Sequence, residues 1–336
     1  MTQQKKYLAI AGGVLAAGVI GWLALSHVAT NRAEEQITAA LDRHGLRDKV
    51  QWKSLSASPL GTVHMKGVTV QLTPKGDATR IARITLTDFV DDADHKRADV
   101  RLTDIAGANG FSPLGDAGFM AAAGRADLPP LALHLKWDMR LDDDEGQFDM
   151  AVDQPEAFKG NVNLQLEQIA GFARLSQEGG RGQRGPQGLG SLAARGGFGL
   201  GSVFGVMEML GSVKLRALHA DVEDDGYVAR SVALYKRYAV AVAPDGGSLS
   251  AQRAKGFEQQ VAANLDICRK QPPEMLQGLP DREDACETVM DFVSGESSSL
   301  RIDMEPSQAI SLSSLMEAAM TNPARFMALL NAKVDS

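Results

Sequence analysis

An uninterrupted apolar run near the start of the sequence constrains this chain more than any other feature. Tyr7–Ala29 contains no acidic or basic residue except His27 near its far end. As a helix its 23 residues would be about 35 Å long, enough to cross a hydrocarbon core of about 30 Å. The run therefore predicts one transmembrane helix over residues 7–29.

The residues that flank this run predict its orientation. Lys5 and Lys6 precede it, and positive charge favours the cytoplasmic side, so residues 1–6 form a cytoplasmic stub and the rest is exported. The alternative is a cleaved signal peptide, whose apolar stretch is usually about 7–15 residues. Because this run is longer, we expect a retained anchor.

The two cysteines of the chain, Cys268 and Cys286, are predicted to form a disulfide on the exported side. Apolar residues recur at helical spacing before Cys268 and around Cys286, and prolines and a glycine separate the two stretches. This pattern predicts a helical hairpin with one cysteine on each arm. The alternative, a redox or metal pair, has neither a CxxC spacing nor a nearby histidine to support it.

Alternating apolar residues predict an antiparallel sheet with one wet face. Leu131–Leu141 alternates over its whole length, and Phe148–Val152 and Val162–Leu166 continue the pattern as a meander. Upstream, the alternation in Val63–Leu72 changes parity at Gly67, which predicts a β-bulge there. The acidic runs at residues 91–94, 142–145 and 221–225 are interpreted as hairpin turns.

The chain as a whole is predicted to be α+β, with an anchored, antiparallel β-rich body formed as a curved meander and packed with C-terminal helices. The C-terminal part carries a strand around Ile302, a helix over residues 312–320 and another capped by Asn322, with Pro323 at its first position. The predicted organisation after the anchor is a β-rich region at 30–175, a loop at 176–197 and an α/β region at 198–336.

A glycine-rich segment followed by an apolar one is the candidate membrane contact. Residues 176–197 include eight glycines, which predicts a mobile loop, and residues 198–213 carry a single charge at Glu208 with apolar residues at helical spacing. The basic residues could meet phospholipid head groups, and the apolar ones could act as a lid or touch the bilayer. The candidates are Arg181, Arg184, Arg195, Phe198, Leu200, Phe204 and Met207. The alternative is an ordinary core helix.

Composition argues against nucleic-acid binding, and residue spacing argues against catalytic and metal sites. The net charge of −7 and the 5% of aromatic residues do not suit nucleic-acid binding. The six histidines match no metal-binding spacing, and no nucleophile and base fall into a recognisable motif, so we expect no catalytic residues, cofactor or metal. His64 and His134 occupy polar positions of predicted strands, and we expect them at the surface.

Two segments resemble known bacterial envelope proteins. Leu55–Leu72 (LSASPLGTVHMKGVTVQL) resembles the opening strands of AsmA-like proteins, and Ser299–Val334 is similar to the closing segment of uncharacterised proteins with the same layout. The resemblance implies a Gram-negative inner-membrane anchor, a periplasmic β-rich body and an apolar groove for lipid chains. It supplies no catalytic residues.

These observations lead to one expected function and two alternatives. We expect a non-enzymatic, membrane-tethered periplasmic protein of envelope lipid handling or homeostasis, with the inner membrane and phospholipid as partners. A scaffold or assembly factor that docks on another envelope protein is the first alternative. An envelope hydrolase, which would require histidines and carboxylates to converge in a cleft, is the second.

Overall fold

The computed structural model describes residues 34, 37–38, 41–42, 46–58, 61–71, 78–116, 124–170, 213–242 and 247–336. Within them, twelve strands form one antiparallel sheet, which confirms the expected α+β body. The strands are β1 (Val50–Gln51), β2 (Ser54–Ala57), β3 (Val63–Val70), β4 (Thr79–Asp91), β5 (His95–Ala106), β6 (Leu131–Arg140), β7 (Glu145–Gln154), β8 (Phe158–Glu167), β9 (Lys214–Asp224), β10 (Ser299–Met304), β11 (Ile310–Ser311) and β12 (Ala332–Asp335).

The sheet is a meander whose strand order follows the chain. The order is β1-β3-β4-β5-β6-β7-β8-β9-β10-β12, with β2 beside β1 on the edge of β3 and β11 paired to β9. Strands β8 and β9 are adjacent although residues 168–213 separate them in sequence. The two halves of the chain therefore share one continuous sheet.

Helices occupy the C-terminal part of the described chain. The helices α1 (Tyr227–Tyr238), α2 (Leu249–Lys270), α3 (Glu274–Gln277) and α4 (Arg282–Ser294) lie between β9 and β10, and α5 (Leu312–Thr321) and α6 (Pro323–Leu329) lie between β11 and β12. The predicted start of α6 is confirmed, since the side chain of Asn322 accepts a hydrogen bond from the amide of Arg325 at 3.0 Å.

The main core lies on one face of strands β3 to β6. Their alternating residues are almost fully buried, including Met65, Ile84 and Leu102 at 3%, 3% and 1% exposure. Ile37 and Leu41, from a helical stretch ahead of β1, are each 1% exposed in the same cluster. The residues directly after the predicted anchor thus help to close this part of the sheet.

The bulge predicted at Gly67 is wrong, although the parity change is real. Lys66 pairs with Arg83 and Val68 pairs with Ile81, so the register continues past Gly67 without an extra residue. Gly67 has a φ of +59°, a left-handed conformation that glycine adopts without steric cost. The buried set changes parity on β4 as well, between Ile81 and Ile84. Both strands therefore rotate together, which keeps the pairing intact.

The structure also corrects the turn predicted at the third acidic run, residues 221–225. Residues 221–224 belong to strand β9 and not to a turn. Asp221 lies opposite Asn161 and Arg301, and Glu223 lies opposite Lys159, so neighbouring strands supply polar or basic partners for these carboxylates. A run of acids is compatible with a strand where the adjacent strands carry such partners.

Candidate functional site

The register of the sheet aligns apolar side chains from six strands into rows. Alternation on β6 sends every second residue to one side of the sheet, and antiparallel pairing continues each position onto the next strand. We call this side the apolar face. Its central row consists of Leu135, Met150, Val162, Ala220, Ile302 and Val334.

Two further rows flank the central row on the same face. The first is Leu133, Val152, Gly160, Val222 and Leu300. The second is Trp137, Phe148, Leu164, Leu218, Met304 and Ala332. Together the rows cover an apolar surface that reaches from the middle of the sheet to its C-terminal edge.

The apolar face is closed over β3 to β6 and partly open over β7 to β10. On β6, Leu133 and Trp137 are 3% and 8% exposed. On β7, Met150 is 36% exposed, and further along the central row Val162 and Ile302 are half-buried. We call β3–β6 the closed half and β7–β10 the open half.

A second core cluster covers one margin of the open half. Leu315 of α5 and Met327 of α6 form this cluster with Leu218 and Met304 of the sheet. Val162, Ala220 and Ile302 of the central row belong to neither this cluster nor the main one among the described residues. The central row therefore lies between two packed regions, as the floor of an apolar depression.

The opposite side of the sheet is polar, and its histidines bond to neighbouring strands. His134 Nε2 lies 2.9 Å from Asp99 Oδ1, and His219 Nδ1 lies 2.7 Å from Asp303 Oδ1. His64 Nδ1 lies 3.1 Å from the hydroxyl of Thr85. The predicted polar positions of His64 and His134 are confirmed. In the described part of the chain, no group of three or more metal-ligating side chains could hold an ion.

An open cavity of about 450 Å³ lies along this polar side. Acidic and basic side chains alternate along it, so its charges largely compensate one another. The polar residues that line it include Arg101, His134, Asp153, Lys159, Asn161 and Asp221.

Two polar clusters that the sequence did not reveal hold the segment before β6. Gln154 is fully buried, accepts a hydrogen bond from Ser112 and donates to the carbonyl of Pro129 at 2.9 Å. At the surface, Arg125 Nε donates to Asp127 at 3.0 Å, and this hydrogen bond lowers the pKa of Asp127 below its ordinary value. Both clusters depend on contacts between residues far apart in sequence, or on loop geometry, which spacing does not indicate.

The predicted disulfide is confirmed. Cys268 on α2 and Cys286 on α4 are bonded, with their Cα atoms 5.9 Å apart. The bond joins the two arms of the predicted hairpin, since α2 covers residues 249–270 and α4 covers residues 282–294. Cys286 is buried, whereas α2 contains no buried residue.

The predicted lipid contacts lie outside the described residues. They are Arg181, Arg184, Arg195, Phe198, Leu200, Phe204 and Met207. The residues that bound this stretch are described: Ile169 and Val213 are each 2% exposed and belong to the main core cluster. Described residues on both sides of this stretch therefore belong to the main core cluster.

The predicted anchor at residues 7–29 also lies outside the described residues. Of the helices that the structure describes, none combines the length and the apolarity needed to cross a membrane.

Comparison with known proteins gives a family without an assigned role. No curated protein matches the sequence. A family model described as "Uncharacterized protein" matches residues 151–336, which include the end of β7 and all of the later strands and helices. Because the match covers more than half of the chain, the protein belongs to this uncharacterised family.

Proposed function

We propose that this protein is a non-enzymatic, single-pass inner-membrane protein of the bacterial envelope that handles lipid on the apolar face of a periplasmic sheet. In this proposal residues 7–29 are the anchor and the open half accepts acyl chains. The AsmA-like affinity suggested by Leu55–Leu72 is part of the same proposal.

The observation that carries the proposal is the partly exposed central row. The row crosses six strands, and its open part, from Met150 on β7 to Ile302 on β10, is about 14 Å long at 4.7–4.9 Å per strand. One leaflet of a bilayer has a hydrocarbon depth of about 15 Å, so this open part is about as long as the hydrocarbon of one leaflet is deep. An apolar depression of this length between two packed cores suits a chain-like apolar ligand better than a compact one.

The undescribed segment has a defined part in this proposal. Phe198, Leu200, Phe204 and Met207 would contact the acyl chains or the bilayer, and Arg181, Arg184 and Arg195 would meet phosphate groups. The positions of Ile169 and Val213 in the core support it, because Ile169 shortly follows β8 and Val213 directly precedes β9, two strands of the open half.

Native mass spectrometry of the full-length protein in detergent tests the proposal. We expect phospholipid to co-purify with the wild-type chain and to be reduced at least tenfold in Met150→Glu, which places a carboxylate in the central row. The control is Gln165→Glu, which places the same group at an exposed position of β8 on the polar side.

Two results would contradict lipid handling. One is wild-type protein that carries no phospholipid, and the other is equal lipid content in the two variants. A co-purifying envelope protein without lipid would instead support the scaffold alternative. That alternative has an observation of its own, since Met316 and Met320 lie one turn apart on α5 and are 38% and 73% exposed.

A further inference from the structure

Four basic side chains lie together on the polar side of the sheet at its N-terminal edge. Lys53 lies between β1 and β2, Lys66 lies on β3, and Arg80 and Arg83 lie on β4; all four are exposed. We call them the basic patch.

The register places these cations beside one another. Lys66 is directly opposite Arg83 in the pairing of β3 and β4, and Arg80 is opposite Thr69. The amide of Lys53 donates to the carbonyl of Lys66 at 3.0 Å. Its side chain then crosses Gly67, where a Cβ atom would lie 2.7 Å from Lys53 Cδ. The absence of a side chain at Gly67 allows Lys53 to approach the row of Lys66 and Arg83.

Among the residues that the structure describes, the basic patch has no acidic partner, in contrast to the cations of the later strands. On β5 to β12, each lysine and arginine of a strand lies opposite an acid or within 4.0 Å of one. The pairs include Lys136 with Asp99 and Asp149, Lys159 with Asp153 and Glu223, Arg301 with Asp221 and Asp335, Lys333 with Asp303, Lys214 and Arg216 with Glu167, Arg140 with Glu145, Arg101 with Asp99, Arg97 with Asp88, and Lys96 with Asp91.

Among the described residues, none of the four patch cations forms an ion pair within 4.0 Å, and none lies opposite an acid in the register. Lys66 and Arg83 are like charges in directly opposed positions, an arrangement that destabilises a sheet. The stability of the fold therefore does not account for the patch, whereas an external anion would.

The shape of the patch indicates the kind of anion. Strands present these side chains on an exposed surface, at an interval of about 4.8 Å between Lys66 and Arg83 across strands and of about 10 Å between Arg80 and Arg83 along β4. An extended array of cations fits a surface that carries many anions. The chain as a whole has a net charge of −7, so the patch is a local exception on an acidic protein.

We propose that the basic patch docks on the anionic lipid head groups of a bilayer surface. This inference rests on the proposed function for the tether, since Lys53 follows the end of the predicted anchor by 53 − 29 = 24 residues. Docking would hold the N-terminal edge of the sheet against the membrane. It would thereby fix the orientation of the open half relative to the bilayer. The four residues of the patch are not those predicted to meet head groups, Arg181, Arg184 and Arg195, which lie outside the described residues.

Lysine acetylation of the full-length protein in nanodiscs tests this proposal. The protein is reconstituted in phosphatidylcholine alone or with one-third phosphatidylglycerol, labelled with an amine-acetylating reagent and analysed by peptide mass spectrometry. We expect phosphatidylglycerol to slow the labelling of Lys53 and Lys66 at least fivefold, and 0.5 M NaCl to restore it. Lys136 and Lys159, which are exposed on the same side but lie opposite acids, are internal controls and should not change.

A variant links this protection to the arginines. In Arg80→Gln/Arg83→Gln the protection of Lys53 and Lys66 should be lost, while the labelling of Lys159 shows that the sheet is intact. The inference is overturned if phosphatidylglycerol leaves the labelling of Lys53 and Lys66 unchanged, or slows all four lysines equally. Protection in native membranes but in neither nanodisc would overturn it in favour of an acidic protein partner.

The readout is independent of the proposed lipid handling. If Lys53 and Lys66 are not protected but the protein still co-purifies with phospholipid, the docking proposal is contradicted and the proposed lipid handling is not. If the two lysines are protected but the protein carries no phospholipid, lipid handling is contradicted and docking is not.

Discussion

The closed and the open half of the apolar face have similar sequence patterns and different surroundings. Both consist of strands in which apolar and polar residues alternate, and they belong to one continuous sheet. Leu102 in the closed half is 1% exposed, whereas Met150 in the open half is 36% exposed. The difference lies in the covering residues, since Ile37 and Leu41 pack on the closed half, whereas the second core cluster includes Leu218 and Met304 of the open half and none of its central row on β7 to β10. Alternation therefore indicates which face is apolar and leaves open how far it is covered.

The largest effect is expected from a cavity in the closed half. Leu102→Ala removes a side chain that is almost fully buried in the main core cluster, so the free energy of unfolding should fall by about 2–5 kcal/mol. Urea denaturation of the full-length protein, followed by circular dichroism, measures it. A loss below 1 kcal/mol would mean that the closed half is not packed as described.

Removal of the disulfide tests what attaches α2, a helix without buried residues, to the rest of the fold. Because α2 has no buried residue, its attachment to α4 depends on half-buried contacts, on the ion pair of Arg269 with Glu287 at 2.7 Å and on the bond between Cys268 and Cys286. The Cys268→Ser/Cys286→Ser variant should lose about 3 kcal/mol, since the bond closes a loop with a sequence separation of 18.

Limited proteolysis of the same variant should show early cleavage within α2, and the wild-type protein under reducing conditions is the matched control. Unchanged stability together with an unchanged cleavage pattern would show that the contacts with α4 are sufficient.

The smallest effect on stability is expected in the open half. Met150→Ala removes a side chain that is already partly exposed, so the cost should be below about 1 kcal/mol. The same denaturation experiment provides the comparison with Leu102→Ala. Equal losses in the two variants would show that Met150 is covered as completely as Leu102, and the distinction between the halves would then be wrong.

The sequence predicted the elements whose patterns are local. The alternation of Leu131–Leu141 predicted β6, helical spacing and proline breaks predicted α2 and α4, and Asn322 with Pro323 predicted the start of α6. Each of these signals lies within about twenty residues. Helix α1 was not predicted, because it begins after Gly226 without a side-chain cap and carries a mixture of polar and apolar residues.

The candidate site depended on information that is not local. The central row exists because β8 and β9 pair across residues 168–213 and β9 and β10 pair across the helices, and spacing along the chain does not reveal such registers. The sequence did not predict the basic patch, for the same reason. Lys66 and Arg83 look like ordinary surface charges until the register places them opposite each other.

The continuous sheet determines whether the segment matched by the family model can be studied as a separate fragment. The family match begins at Ala151, inside β7, whose first six residues pair with residues 162–167 of β8. A fragment cut at that boundary would leave the backbone groups of those β8 residues that faced β7 without partners, and such an unpaired edge recruits other chains. We therefore expect fragment 151–336 to aggregate, because the segment that the family model matches is shorter than the sheet to which it belongs.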